Sequence, residues 1–247
     1  MKNIEEHYHN KNNEAAFLEY MDDRHHRFWE GLSFIQVLNA EKYNEDSFFY
    51  EARFLITGRL INHIAATYEM LKMGLEDESL VMYRQSLELA WLLKYFIENP
   101  QKTEKWVKNN KSGRISPEDR RKAVDNNSTS QKLYKQLSEV VHSNRKSYWG
   151  IGVGGMFNPY IIDKISSHIF ILIGDVIKYF KQIMDMFNFD ILEYEELANL
   201  YEEVTQNVWI GIYISGYRAD PVEITQKLIQ IGDIDVLRYL EARYKLI

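Results

Sequence analysis

Two charged residues stand four positions apart in the most apolar stretch of the chain. Arg84 and Glu88 belong to SLVMYRQSLELAWLLKYFIEN, residues 79–99, and in a helix this spacing puts both on one face. Because the order Arg then Glu is the weaker one for an exposed pair, surface stabilisation explains them poorly. Two interpretations remain open. One is a structural ion pair to a neighbouring helix. The other is a polar pocket in which the guanidinium holds a phosphate or carboxylate.

His142 is the third residue whose position suggests chemistry. It ends the amphipathic stretch YKQLSEVVHSN, and a histidine there can act as a general acid or base near neutral pH. The alternative is a helix-end histidine that bonds a backbone carbonyl. The catalytic residues predicted from the sequence are Arg84, Glu88 and His142.

Basic and aromatic residues follow His142 directly. Arg145 and Lys146 can hold phosphate, and Trp149 can stack on a nucleobase, although packing against the core is the alternative for the tryptophan. Residues 101–146 contain twelve Lys and Arg but five Asp and Glu, in a chain whose net charge is −6. This basic segment predicts a surface that faces a polyanion, or else a solvated loop and helix face.

Arg59 and His63 form a second pair at helical spacing. Together they can perform metal-free RNA cleavage, in which the histidine moves a proton and the arginine stabilises phosphate charge. The plainer interpretation is a partly buried polar pair between long helices. We predict that Arg59 and His63 contact substrate.

Long helices must position these residues, because apolar residues recur at helical spacing and β-branched runs are rare. We predict an all-α, multi-helix bundle of long antiparallel helices with few or no strands. One helix is expected over 13–39, a second from Asp46 to about Met73, and a central one capped by Asp77 or Ser79. Asn158-Pro159 should begin another long helix. The domain is predicted to be single, 1–247, with a polar, basic segment at about 101–130 and a small C-terminal helical subdomain at about 208–247.

Composition narrows the class of protein further. The chain has no cysteine, which excludes disulfides and thiolate metal sites. Its first residues, MKNIEEHYHNKNNE, are polar, and no apolar run reaches the roughly 18 residues of a membrane span. We therefore expect a cytoplasmic protein with no membrane contact, no metal and no cofactor.

The pattern YRQSLELAWLLKYF, followed by EKWVKN and then LYKQLSEVVHSN, resembles a family of uncharacterised bacterial all-helical proteins. That family has an Arg-x-x-x-Glu helix and a later Leu-Ser-x-x-x-His turn, and it is loosely similar to the HEPN superfamily, many members of which are RNA-cleaving toxins or phage-defence effectors. The resemblance covers about residues 75–150 and points to Arg84, Glu88 and His142. The HEPN pattern of an Arg, four to six intervening residues and then a His is absent; Arg59 and His63 have only three residues between them.

These observations lead to competing hypotheses. The first is an intracellular helical-bundle effector of the stress or phage-defence kind, acting on RNA or a nucleotide, as a metal-independent ribonuclease. The second is a non-catalytic module for oligomerisation or for binding a partner protein. A third, weaker one is a metal-dependent hydrolase that uses His63, His142 or His168.

Overall fold

A computed structural model describes residues 11–108, 114–124, 131, 133–135, 137–138, 159–189, 194–195, 198–199, 201 and 203. Within these residues every regular element is helical, which confirms the all-α prediction. The helices are α1 (Lys11–Met21), α2 (Asp23–Ala40), α3 (Ser47–Lys72), α4 (Glu76–Glu98), α5 (Thr103–Val107), α6 (Pro117–Lys122) and α7 (Pro159–Met186). Residues 131, 133–135 and 137–138 are also helical, as are 194–195, 198–199, 201 and 203. The predicted C-terminal subdomain lies outside the described residues.

The single helix predicted over 13–39 is two helices, because the helical conformation is interrupted at Asp22. The backbone of Asp22 has φ 45° and ψ −129°, a conformation that a helix cannot contain. The Arg24 guanidinium donates to the Tyr20 carbonyl at 2.8 Å, so it bonds one of the free carbonyls at the end of α1. Apolar spacing continues across the break, which is why periodicity alone did not reveal it.

The ends of the α3–α4 hairpin follow from local chemistry. The Asp46 side chain caps α3 by accepting from the backbone N–H groups of Phe48 and Phe49, as predicted. Gly74, with φ 77°, lies in the turn after α3, where glycine has no steric penalty. The predicted cap of α4 was wrong: the helix begins at Glu76, and Leu75 in the cap position makes no side-chain hydrogen bond.

α4 is the central helix, as its apolar composition predicts. Its buried residues include Leu87, Ala90, Trp91, Leu93 and Phe96. It packs antiparallel to α3, but it runs in the same direction as α7. Two contacts fix this direction: the Tyr83 hydroxyl donates to the His168 carbonyl, and Lys94 donates to the side chain of Gln182. The long connection over 99–158 permits this parallel arrangement.

Candidate functional site

Arg84 and Glu88 lie on the face of α4 that is turned towards α6 and the helical residues between 131 and 138. Arg84 Nε is 3.2 Å from Glu88 Oε1, yet this N–H makes no hydrogen bond, so the contact is ionic rather than directional. Their side chains are 17% and 26% exposed, respectively. The pair is therefore partly screened from water and still reachable from it.

Tyr134 completes the pair from the next segment of the chain. Arg84 Nη2 donates to the Tyr134 hydroxyl at 2.8 Å, and this hydroxyl donates to Glu88 Oε1 at 3.2 Å. The guanidinium also lies 4.7 Å from the centroid of the tyrosine ring, a distance typical of a cation–π contact. Trp91 packs beside the same ring at 5.7 Å. One tyrosine thus orients both charged groups.

Arg120 brings a second cation to Glu88. Its Nη1 lies 3.9 Å from Glu88 Oε2, while its Nη2 donates to the Ile115 carbonyl. The short helix α6 holds it there, with Ser116 capping the helix by accepting from the Asp119 N–H. We call Arg84, Glu88, Arg120 and Tyr134 the α4 cluster. Two guanidinium groups and one carboxylate give it one positive charge in surplus.

The rest of the predicted catalytic and binding set is only partly described. His142, Arg145, Lys146 and Trp149 lie outside the described residues, so their distances from the α4 cluster stay untested. Tyr134 was not predicted as a site residue, although it stands eight positions before His142 in the stretch that the sequence singled out.

Arg59 and His63 do contact each other on α3. Arg59 Nε points at His63 Nε2 at 3.5 Å, which is at the long end for a hydrogen bond. Burial, together with the adjacent charge of Arg59, lowers the pKa of His63 below its usual value. The ring is therefore neutral at neutral pH and able to accept a proton. No hydrogen bond or ion pair among the described residues joins this pair to the α4 cluster.

Arg53 and Glu45 form a buried ion pair that the sequence pattern did not predict. Arg53 is 1% exposed, and its Nη2 is 2.6 Å from Glu45 Oε1. Arg53 also donates to the Asn39 and Glu41 carbonyls, and its guanidinium lies 4.8 Å from the Tyr43 ring centroid. The sequence feature that could have predicted this pair is an arginine next to Ala52, on the apolar face of α3. The hydrogen bonds and the ion pair of Arg53 tie the α2–α3 connection to α3, and its guanidinium also lies 5.7 Å from the Phe180 ring centroid of α7, so the role of the pair is structural.

Within the described part of the chain, burial raises the pKa of two carboxyl groups. Burial raises the pKa of Glu76, in the first turn of α4, to about 7, and Asp77 adds to this effect. Burial raises the pKa of Asp175 in α7 to about 6, against an opposing effect of Lys178. Among the described residues no group of three or more His, Asp or Glu side chains could hold a metal ion.

A cleft of about 400 Å³ opens beside α7. Lys178, Lys181 and Gln182 line it from α7, and Tyr194 and Asn199 line it from the next helical residues. Lys181 pairs with Asp185 at 3.1 Å and lies 5.9 Å from the Tyr194 ring centroid, so its charge is already engaged. None of these residues was predicted as part of a site.

No protein-family model, curated protein or solved structure matches this chain. The likeness to the HEPN superfamily therefore stays a prediction. None of the helices in the described part of the chain is both long and apolar enough to span a membrane.

Proposed function

We propose that the protein is a helical-bundle effector of the stress or phage-defence kind that acts on RNA or a nucleotide. In this proposal the α4 cluster holds phosphate oxygens of the ligand. The observation that carries it is the charge balance among the described residues, where two guanidinium groups share the carboxylate of Glu88. A cation in surplus, held where water still reaches it, suits an anionic ligand.

The contact distances indicate which arginine would move. Arg84 is fixed by the Tyr134 hydroxyl and by its stacking on the ring. Arg120 makes the longest contact of the cluster, 3.9 Å to Glu88. A phosphate can therefore replace Glu88 as the partner of Arg120 at little cost in free energy. A planar guanidinium then offers two parallel N–H donors to two phosphate oxygens.

His142 is the proposed general base for cleavage. It would take the proton of a ribose 2′-hydroxyl, whose oxygen then attacks the adjacent phosphorus and displaces the 5′-oxygen, which is protonated as it leaves. Arg84 and Arg120 would stabilise the extra negative charge on phosphorus oxygens in the transition state. This role needs no metal ion.

Cleavage and binding by the purified protein test this proposal. Labelled single-stranded RNA and ATP are incubated with wild type, His142→Ala and Arg120→Gln, with and without EDTA. We expect His142→Ala to slow cleavage roughly 10²- to 10⁴-fold while RNA still binds. Arg120→Gln should weaken binding several-fold and reduce its salt dependence.

Arg27→Gln is the matched control, because it removes one positive charge from a partly exposed ion pair on α2. It should leave RNA binding and cleavage unchanged. A folded wild type that neither binds nor cleaves RNA or ATP would contradict the proposal.

A second candidate function is protein–protein interaction. In that case the α4 cluster is a structural contact that holds α6 and the Tyr134 segment against α4. One observation favours it: Phe54 and Leu55 of α3 are exposed at 42% and 52%. The apolar surface around them is where a partner would dock.

A further inference from the structure

The outward face of α3 has an apolar centre. Phe54 and Leu55 are exposed, and the Phe54 ring stacks on Tyr50 one turn earlier, with centroids 5.8 Å apart. Single exposed apolar residues are ordinary, but adjacent large ones next to an aromatic ring form a patch. Residues 51, 54, 55, 58, 59 and 62 share this face by helical spacing, and we call it the α3 face.

No contact among the described residues explains Gly58 on the α3 face. A glycine in a helix interior lowers helix stability, and a Cβ added to Gly58 would meet nothing within 4 Å. Gly31 of α2 is different, because a Cβ there would collide with the Tyr201 side chain. No described residue therefore fills the space over Gly58, and a glycine permits a partner to approach its backbone closely.

The charges on the α3 face are placed symmetrically around its centre. Glu51 and Arg59 stand four residues before and four residues after Leu55, and both are exposed. Glu51 has no ion-pair partner among the described residues. Arg59 makes only the 3.5 Å contact from Nε to His63 there, which leaves its terminal nitrogens available.

We infer that the α3 face binds the α3 face of a second copy of this chain, with the two helices antiparallel. A two-fold axis near Leu55 places Glu51 of each copy opposite Arg59 of the other and Phe54 near the opposing Gly58. An isologous contact needs a surface that is complementary to itself, and opposite charges at equal distances from an apolar centre meet that condition.

The same symmetry argues against an unrelated partner, which would need no such balance within one helix. This interface would make a second copy of the chain the partner in the second candidate function, protein–protein interaction. The inference does not depend on phosphate binding at the α4 cluster. It does assign the Arg59 terminal nitrogens to the interface, where they would compete with the substrate role predicted from the sequence.

Charge reversal tests this interface directly. Molecular mass is measured by sedimentation equilibrium over a range of protein concentrations for wild type, Glu51→Arg, Arg59→Glu and the double variant. We expect a wild-type dimer, at least a tenfold increase in dimer Kd for each single reversal, and recovery towards the wild-type Kd when both reversals are combined. Recovery is specific to a contact between Glu51 and Arg59 of different copies.

Gly58→Ala separates the interface from effects on folding. The added methyl group should raise the thermal unfolding midpoint at concentrations where the chain is monomeric, since alanine favours helix. The same methyl group should weaken the dimer. Leu18→Glu is the control, since it charges an exposed apolar residue of α1 and should leave the dimer Kd unchanged.

Three outcomes would overturn the inference: a wild type that is monomeric at 100 µM or so, a dimer that none of the three α3 variants weakens, or single reversals that the double variant does not rescue. A monomer that still binds RNA would overturn this inference and leave the phosphate proposal standing.

Discussion

At the scale of the residue, the α4 cluster combines two residues one turn apart on α4 with two that packing brings from other segments of the chain. Arg84 and Glu88 do contact each other, and so do Arg59 and His63, because four-residue spacing on a helix is sufficient to place two side chains together. Tyr134 and Arg120 come from other segments. Their approach depends on tertiary packing, which helical periodicity does not encode.

Glu76 gives a pH-dependent prediction. Its pKa is raised to about 7 in the folded chain and is near 4.3 in an unfolded one. Below pH 4 both states are protonated, and no penalty exists. As the pH rises from about 4 to 7, the unfolded chain loses the proton first, so Glu76 destabilises the fold, and above pH 7 this penalty is complete.

Glu76→Gln should therefore raise the free energy of unfolding at pH 8 by about 1–3 kcal/mol and change it little at pH 4. Urea unfolding at both pH values measures the difference. Glu78→Gln is the control, since Glu78 is exposed in the same turn of α4. Equal effects of Glu76→Gln at the two pH values would contradict the raised pKa.

At the scale of the element, helix ends were predictable where a side chain or a glycine determines them, as at Asp46 and Gly74. The break at Asp22 was missed because residues on both sides of it keep the same apolar spacing. The start of α4 at Glu76 was missed because no side chain caps it. Helix ends that depend on backbone conformation alone are hard to predict from the pattern of residue types.

The connection between α2 and α3 should depend on the buried pair of Arg53 and Glu45. Removing one partner leaves the other charge buried and unpaired, so Arg53→Met should lower the free energy of unfolding by about 3–5 kcal/mol. The double variant Arg53→Met with Glu45→Met should lose much less than the sum of the single variants. Chemical denaturation with tryptophan fluorescence measures all three.

The ion pair of Arg27 and Glu30 offers a matched comparison that is open to solvent, with side chains 40% and 30% exposed. Arg27→Met should change the free energy of unfolding by less than about 1 kcal/mol. Similar losses for Arg53→Met and Arg27→Met would mean that burial does not set the strength of the Arg53 pair.

At the scale of the whole molecule, the all-α class followed from long apolar repeats and few helix breakers. The parallel packing of α4 and α7 did not, because the 99–158 connection is long enough to allow either direction. The same connection supplies Arg120 and Tyr134 and includes the basic segment. A solvated basic surface and a phosphate-binding surface can have the same amino-acid composition. The charge of the basic segment alone therefore could not distinguish them.

The sharpest test of the phosphate proposal is the affinity of Glu88→Gln for labelled RNA and for ATP, compared with wild type at one fixed salt concentration. Removing the carboxylate raises the net charge of the α4 cluster by one and keeps a hydrogen-bond acceptor for Tyr134. We predict tighter binding of both ligands by several-fold, with a modest loss of thermal stability. Unchanged or weaker binding by a folded Glu88→Gln variant would contradict the proposal. The α4 cluster would then be only a structural contact between segments of the chain.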